Sequence, residues 1–407
     1  MRNLRRSLDD LLSIPQAVLF IVSGSFFVSV ARAMSLTFVA IILHRDFSMG
    51  LVGIGLLLGI GPLVGAMVSP FAGAWSDMIG RKAVLALVLG MLSLSITVMG
   101  FAGEALAYGL AYTTAAISVA LFNPISKAII SDASSERERF THFSWRYTAS
   151  NLGWAIGPIV SVVAGPATPT GFFIAGTILA ALLLFLAPVV MPTLDQTPKT
   201  LAGFHQTVAA LRKPLRDRRL FCLICGGMLA LSVFSHWSAT LGPYLVSTTT
   251  NGQQTYAILV SINGIVVLLA NPILSRMIAR AGGLTALLTG CVMLCASQIG
   301  FASSTASPAL ITSMFLLSIA EVLVVCAEYV LVDSLASDAD KGGYFGVHAI
   351  SNGGSFLGPV IGSLTLASLG GPAMFLLFAF MAIASALVVA IGPRATRTDP
   401  EKQDRHN

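Results

Sequence analysis

Charge is scarce in this chain. Of its 407 residues only 10% are Asp, Glu, Lys or Arg, against about 25% in an ordinary soluble domain. A globular protein of this length must cover its surface with polar groups, so a soluble core is excluded. Cysteine is sparse as well: Cys222, Cys225, Cys291, Cys295 and Cys326 all fall inside apolar segments. The C-x-x-C at Cys222 and Cys225 lacks partner ligands, which favours small buried hydrophobes over zinc or redox chemistry. No H-E-x-x-H, G-x-S-x-G or Cys/His cluster is present, so neither an enzyme nor a metal site is expected. The chain also has no G-x-x-x-x-G-K-[S/T] loop, which removes ATP as its own energy source. Gly53, Gly55 and Gly59 are spaced like part of a dinucleotide fingerprint, but no strand precedes them. The net charge of +6 comes without aromatics interleaved in a basic patch, so nucleic acid is not an expected partner. No cofactor or metal is expected.

What the chain does have is apolar length. Hydrophobic residues make up 55% of it, and Gly, Pro and charge clusters divide them into twelve stretches, each near the roughly 20 residues that span a bilayer. The predicted spans are 16–43, 51–75, 83–102, 106–131, 143–165, 171–190, 219–246, 254–275, 284–304, 308–333, 344–368 and 372–392. Continuous runs rather than alternation exclude a membrane barrel and predict an all-α membrane protein. The first run is too long for a secretory leader and reads as a retained span. An even number of spans puts both termini on one side, and 20 of the 24 Lys and Arg fall there, against Arg45 in the opposite loops. That asymmetry predicts cytoplasmic termini in a multi-pass plasma (inner) membrane protein. A channel is not expected, because no continuous polar pore or selectivity motif is visible.

An internal repeat organises the spans. A shift of 201 residues lays Ser150, Asn151, Gly153, Gly157 and Pro158 on Ser351, Asn352, Gly354, Gly358 and Pro359, and Asp132 on Asp333. Helices 4 and 5 therefore recur as helices 10 and 11. The division expected is an N-terminal six-helix bundle (1–190), a cytoplasmic central loop (191–218) and a C-terminal six-helix bundle with a short tail (219–407). Parallel repeats of this kind typify secondary transporters with a site between the halves. The glycines of G-x-x-x-G-P, and Gly53, Gly55, Gly59, Gly61 and Gly65 in the second span, predict close helix packing where lipid supplies no hydrophobic drive.

The segment 73–82, G-A-W-S-D-M-I-G-R-K, resembles the signature loop between helices 2 and 3 of the major facilitator superfamily. Gly73, Asp77, Gly80, Arg81 and Lys82 occupy its positions, with Met78 where a basic residue is frequent. The resemblance implies a gating role for this loop, Asp77 latching the inner side against the second half. G-W-A-I-G-P-I-V-S (153–161) is similar to the helix 5 motif of antiporters in the drug-efflux branch, with Val160 and Ser161 in place of its final glycines. A-R-A-M-S-L-T-F in the first span and A-E-V-L-V-V-C-A-E-Y-V-L-V-D in the tenth resemble a bacterial subgroup that exports dipeptides and other small metabolites. These likenesses imply the twelve-helix major facilitator fold. They also imply proton-coupled antiport of small organic molecules such as drugs, dipeptides or sugars, with uptake by symport as the alternative. A monomer in the lipid bilayer, powered by the proton gradient, is the expected working unit.

Ionisable groups inside the membrane cost about 2.5–3.5 kcal/mol each on insertion scales, so deep ones are functional candidates. Arg32, His236 and Glu321 fall near the middle of spans 1, 7 and 10. In the family, helices 1, 4, 7 and 10 line the central cavity, so the resemblance implies that these three share one space for substrate and proton. A carboxyl moved between apolar surroundings and the vicinity of a cation would load and release a proton. Glu328, two turns beyond Glu321, is either a relay or the partner of Lys127 in a structural ion pair. Arg146, about one turn into the fifth span, is expected to snorkel to the cytoplasmic surface. His348 is expected to be a structural polar group.

Overall fold

The computed structural model describes residues 14–164, 169–189, 214–336 and 341–392. Twelve helical crossings run through them. Helix α1 is Gln16–Leu36, continued after a turn by Val39–Arg45; α2 is Leu51–Ile79, α3 Arg81–Phe101 and α4 Ala105–Ala133. Then follow α5 (Glu136–Ala164) and α6 (Pro169–Val189). Helix α7 is Arg218–Ser235 continued by Trp237–Thr248, α8 is Gly252–Ala281, α9 Gly283–Ser303 and α10 Ser307–Leu335. Helix α11 comprises Lys341–His348, a 3-10 stretch at Ala349–Gly353 and Gly354–Leu369, and α12 is Gly371–Ile391. No strand occurs among the described residues.

Ten of these crossings are long and apolar enough to cross a membrane. The other two are α5, which opens on the polar run E-R-E-R-F-T-H, and α11, which the 3-10 stretch divides. Several helices outrun the apolar segments read from sequence: α5 starts at Glu136 rather than 143, and α8 ends at Ala281 rather than 275. Hydrated basic side chains such as Arg276 and Arg280 can extend a helix beyond the bilayer, because the backbone still satisfies itself. Large apolar side chains, among them Leu94, Val163, Leu184, Phe380 and Ile391, stay exposed on the outside of the bundle, as a lipid-covered surface requires.

Local chemistry explains where helices begin. Gly80, Gly282 and Gly370 precede α3, α9 and α12 with φ of +103°, +88° and +82°, a region L-residues rarely enter. Asp217 caps α7: its carboxylate accepts from the Arg219 amide at 2.8 Å, and its other oxygen accepts from the Tyr344 hydroxyl at 2.9 Å. The cap therefore also ties the start of α7 to α11. We call the end of the bundle carrying Gly80, Arg216–Arg219 and Gly282 the basic face, and the end carrying Arg45–Gly50 and Gly370 the opposite face.

The repeat detected in sequence is also a repeat of packing. Gly153 and Gly157 press α5 onto α1, where a Cβ at 153 would lie 2.6 Å from the Phe26 carbonyl oxygen and one at 157 would lie 2.9 Å from that of Val30. Gly354 and Gly358 press α11 onto α7 in the same way, a Cβ at 358 colliding with Ser235 Oγ and the Ser232 carbonyl. Glycines of α2 serve two neighbours. Gly61 and Gly65 face Ala116 and Ala120 of α4, whereas Gly55 and Gly59 face Pro359, Ser363 and Phe356 of α11.

That second α2 face belongs to the seam between the first six crossings and the last six. The seam continues where Gly264 of α8 meets Ala155 of α5 and where Gly242 of α7 meets Ile41 of α1. These contacts run from the opposite face to mid-bundle. Toward the basic face the same seam opens into a cavity of about 410 Å³.

Candidate functional site

Arg32 and Glu321 stand on the two sides of the seam. The Arg32 guanidinium lies over the Trp154 ring, 5.3 Å from its centroid, and Tyr112 is within its electrostatic reach. Its Nε is shielded from solvent and makes no hydrogen bond. Across the seam, Asn263 of α8 donates to Glu321 Oε2 at 2.9 Å and to Ser318 Oγ at 3.1 Å. Glu321 makes no ion pair with any described residue. Trp154 and Asn263 are sequence neighbours of Ala155 and Gly264, the pair that brings α5 and α8 into backbone contact. Each charge is thus held by a side chain at the closest approach of the two halves, and the charges themselves do not touch.

A second polar group lies nearer the basic face. Lys127 of α4, Gly227, Leu231 and Phe234 of α7, Glu328 and Tyr329 of α10, and His348, Ser351 and Asn352 of α11 line the 410 Å³ cavity. Glu328 Oε2 is 3.5 Å from His348 Nε2, and His348 Nε2 has no hydrogen-bond partner. The expected structural ion pair between Lys127 and Glu328 does not form. They stand on opposite walls, α4 and α10, and closing on each other would require the cavity to collapse.

Arg146 departs from expectation too. Rather than snorkelling, it is buried, donating from Nε to Ser126 Oγ at 2.9 Å and from a terminal nitrogen to Asn123 Oδ1 at 2.8 Å. Two acceptors one turn apart on α4 match the fork of a guanidinium, which satisfies the charge inside. Arg146→Lys keeps the charge but not the fork. It is expected to lower stability by about 1–3 kcal/mol, read as an earlier thermal melt in detergent.

His236 is not in either polar group. It is buried within the second half, its ring stacked on Phe378 at 4.0 Å between centroids. Nδ1 lies 2.9 Å from Thr240 Oγ1, and Nε2 lies 3.2 Å from Gln298 Oε1. The Thr240 hydroxyl donates to the His236 carbonyl, so it accepts from Nδ1–H and leaves Nε2 as an acceptor. The otherwise unpartnered Gln298 amide nitrogen is satisfied once that amide is turned toward Nε2. This is a structural histidine rather than a cavity-lining one. Replacement by Ala is expected to cost about 2–4 kcal/mol through the void and the orphaned partners, with the pH profile of transport unmoved.

With this geometry established, comparison with known proteins decides the family. A match to the Major Facilitator Superfamily covers residues 21–350 and, again, 238–406. This chain belongs to the major facilitator superfamily. It is a multi-pass membrane transporter, not an enzyme. Relatives include the MFS-type transporter YqjV of Bacillus subtilis (strain 168), 26% identical over 85% of each chain. The Na(+), Li(+), K(+)/H(+) antiporter of Planococcus maritimus is 23% identical over 79% of this chain and 82% of that one. Among solved structures, the peptide transporter POT in complex with sulfate superposes with a TM-score of 0.80 at 15% identity, covering 93% of this chain and 95% of that one.

The signature loop of the transporter is only partly described. Gly73 and Asp77 fall in α2, but the side chains of residues 69–79 lie outside the described residues. Gly80 supplies the positive φ noted above, and Arg81 Nε donates to Asp132 Oδ2 at 2.9 Å. That carboxylate at the end of α4 is the residue the repeat lays on Asp333. Among the described residues no group of His, Cys, Asp and Glu could hold a metal ion. All five cysteines are unbridged, and only Cys291 is fully buried, the others being half-buried. Sequence reasoning missed Trp154 and Asn263 as partners of the deep charges. The available signals were a tryptophan inside the G-x-x-x-G-P motif and a lone amide in the apolar run of α8.

Proposed function

We propose that the transporter is a proton-coupled antiporter that exports small organic molecules such as drugs, dipeptides or sugars by alternating access. One observation carries this reading. Glu321, deep in α10, is partnered by an amide and no cation, while Arg32 faces it from the other half across the α5–α8 seam with only an aromatic face beneath it. Rocking one half against the other changes what that carboxyl faces, and a carboxyl that alternates between neutral and cationic surroundings takes up and gives off a proton. The halves, residues 1–190 and 219–407, act as the rocking bodies, and the G-x-x-x-G-P contacts keep α1 on α5 and α7 on α11 as they move. The positive-inside bias supports a cytoplasmic basic face with both termini on that side of the plasma membrane. The seam, closed at the opposite face and open below, then corresponds to a cytoplasm-facing state. The antiporter among the relatives adds support.

Purified protein in liposomes separates antiport from its alternative. Substrates are first found by export from cells, comparing wild type with Arg32→Ala over drugs, dipeptides and sugars. Substrate flux with proton movement in the opposite direction is expected. Protons travelling with the substrate would establish uptake symport instead, and substrate flux without proton movement would sink coupling altogether.

A further inference from the structure

The cavity near the basic face holds its charges in an arrangement that proton coupling at Glu321 does not use. Lys127 stands on the wall from the first half, with Arg146 within its electrostatic reach. Glu328 stands on the wall from the second half beside His348. Opposite charges that only fastened helices together would close on each other, because buried charges are tolerated when paired. Here about 410 Å³ separates them, within the range of about 300–1,000 Å³ of small-molecule sites. Room for the carboxylate is built into α7: position 227 is glycine, and a Cβ there would lie 2.6 Å from Glu328 Oε1. Arg146 is committed to Asn123 and Ser126. That leaves Lys127 as the cation available to a ligand, in a locally positive field.

We propose that this cavity binds small zwitterions, the ligand's acid group at Lys127 and its amine at Glu328. A zwitterion satisfies both separated charges at once. A neutral sugar leaves both unmet, and a simple anion or cation leaves one, with the cost of an unpaired buried charge. Tyr329, Ser351 and Asn352 add polar groups on the second-half wall, and Leu231 and Phe234 give an apolar floor for the body of the ligand. A ligand bridging the two walls also favours the conformation in which they approach, as alternating access needs.

The proposal rests on the reading of the chain as a carrier of small organic molecules, but not on proton transfer at Glu321. Binding is therefore measured at equilibrium, without a gradient. Purified full-length protein is titrated calorimetrically with alanylalanine, with N-acetyl-alanylalanine, which keeps only the acid, and with alanylalanine amide, which keeps only the amine. The zwitterion is expected to bind at least about tenfold more tightly than either blocked form. Lys127→Gln should remove the advantage of the free acid, so that zwitterion and amide bind alike. Glu328→Gln should remove that of the free amine, so that zwitterion and N-acetyl form bind alike. Equal affinities of the wild type for all three forms, or no binding of the zwitterion at millimolar concentration, overturns the proposal. So does a loss in both variants regardless of which end is blocked. The wild-type comparison needs no variant to fold, and protein that binds the zwitterion yet moves no protons counts against the coupling reading alone.

Discussion

Glu321→Gln is expected to reduce pH-gradient-driven transport in liposomes to the level of empty vesicles, while substrate counterflow without a gradient persists. The substitution is nearly isosteric, and its amide oxygen can accept the same hydrogen bond that Asn263 donates to Glu321 Oε2 at 2.9 Å. Packing is therefore preserved, and what disappears is the ability to gain and lose a proton. The folded state should be as stable as wild type or more so, since a charge near mid-bilayer costs about 2.5–3.5 kcal/mol on insertion scales. Undiminished proton-coupled flux in this variant would falsify the role assigned to Glu321. Asn263→Ala tests the same site from the other side of the bond: it should alter the pH dependence of transport without abolishing it, because it changes the environment of the carboxyl and not the carboxyl itself.

The second large effect is on folding. Gly358→Leu should prevent accumulation of folded protein, with Gly157→Leu close behind it. Even a single Cβ at 358 collides with Ser235 Oγ and the Ser232 carbonyl, and lies 3.0 Å from the His236 amide nitrogen. At 157 it meets Ala33 and the Val30 carbonyl oxygen, the latter at 2.9 Å. Overpacking usually costs about 1–3 kcal/mol, and here part of what is struck is backbone, which cannot rotate away. A leucine must push α11 off α7, or α5 off α1, where little but close packing holds membrane helices together. Gly80→Ala is the control. Nothing lies within 4 Å of its Cβ, so its cost is the backbone strain of φ +103°, about 1–2 kcal/mol. Size-exclusion profiles and thermal melts in detergent rank the three variants, and a melt of Gly358→Leu at or above that of Gly80→Ala would contradict the packing argument.

Much of the fold was legible in the sequence because the bilayer imposes simple rules. Every span must satisfy its own backbone and cover itself with apolar side chains, so the twelve crossings read out as composition. The repeat read out as a fixed shift because the same two helix contacts, α5 on α1 and α11 on α7, need the same glycines. The deep charges were legible as rarities, since an Arg or a Glu among Val, Leu and Ala has no other excuse to be there. What a linear pattern cannot encode is direction around a helix and the identity of the facing wall. His236 is as deep as Arg32 in sequence, yet it points into its own bundle because Thr240, Gln298 and Phe378 offer it two hydrogen bonds and a stacking surface. Arg146 sits within reach of the surface but turns inward to Asn123 and Ser126.

The scarcity of charge, with which the chain first declared its solvent, thus determined by itself that this is an all-helical membrane protein and which side chains had to be explained. Tertiary structure alone decided how those charges are answered. Arg32 is answered by a ring and Glu321 by an amide, on either side of one seam, while Lys127 and Glu328 face each other across open space. The physical reason is that burial is a property of a residue's own span, whereas pairing depends on which helices the two halves bring together.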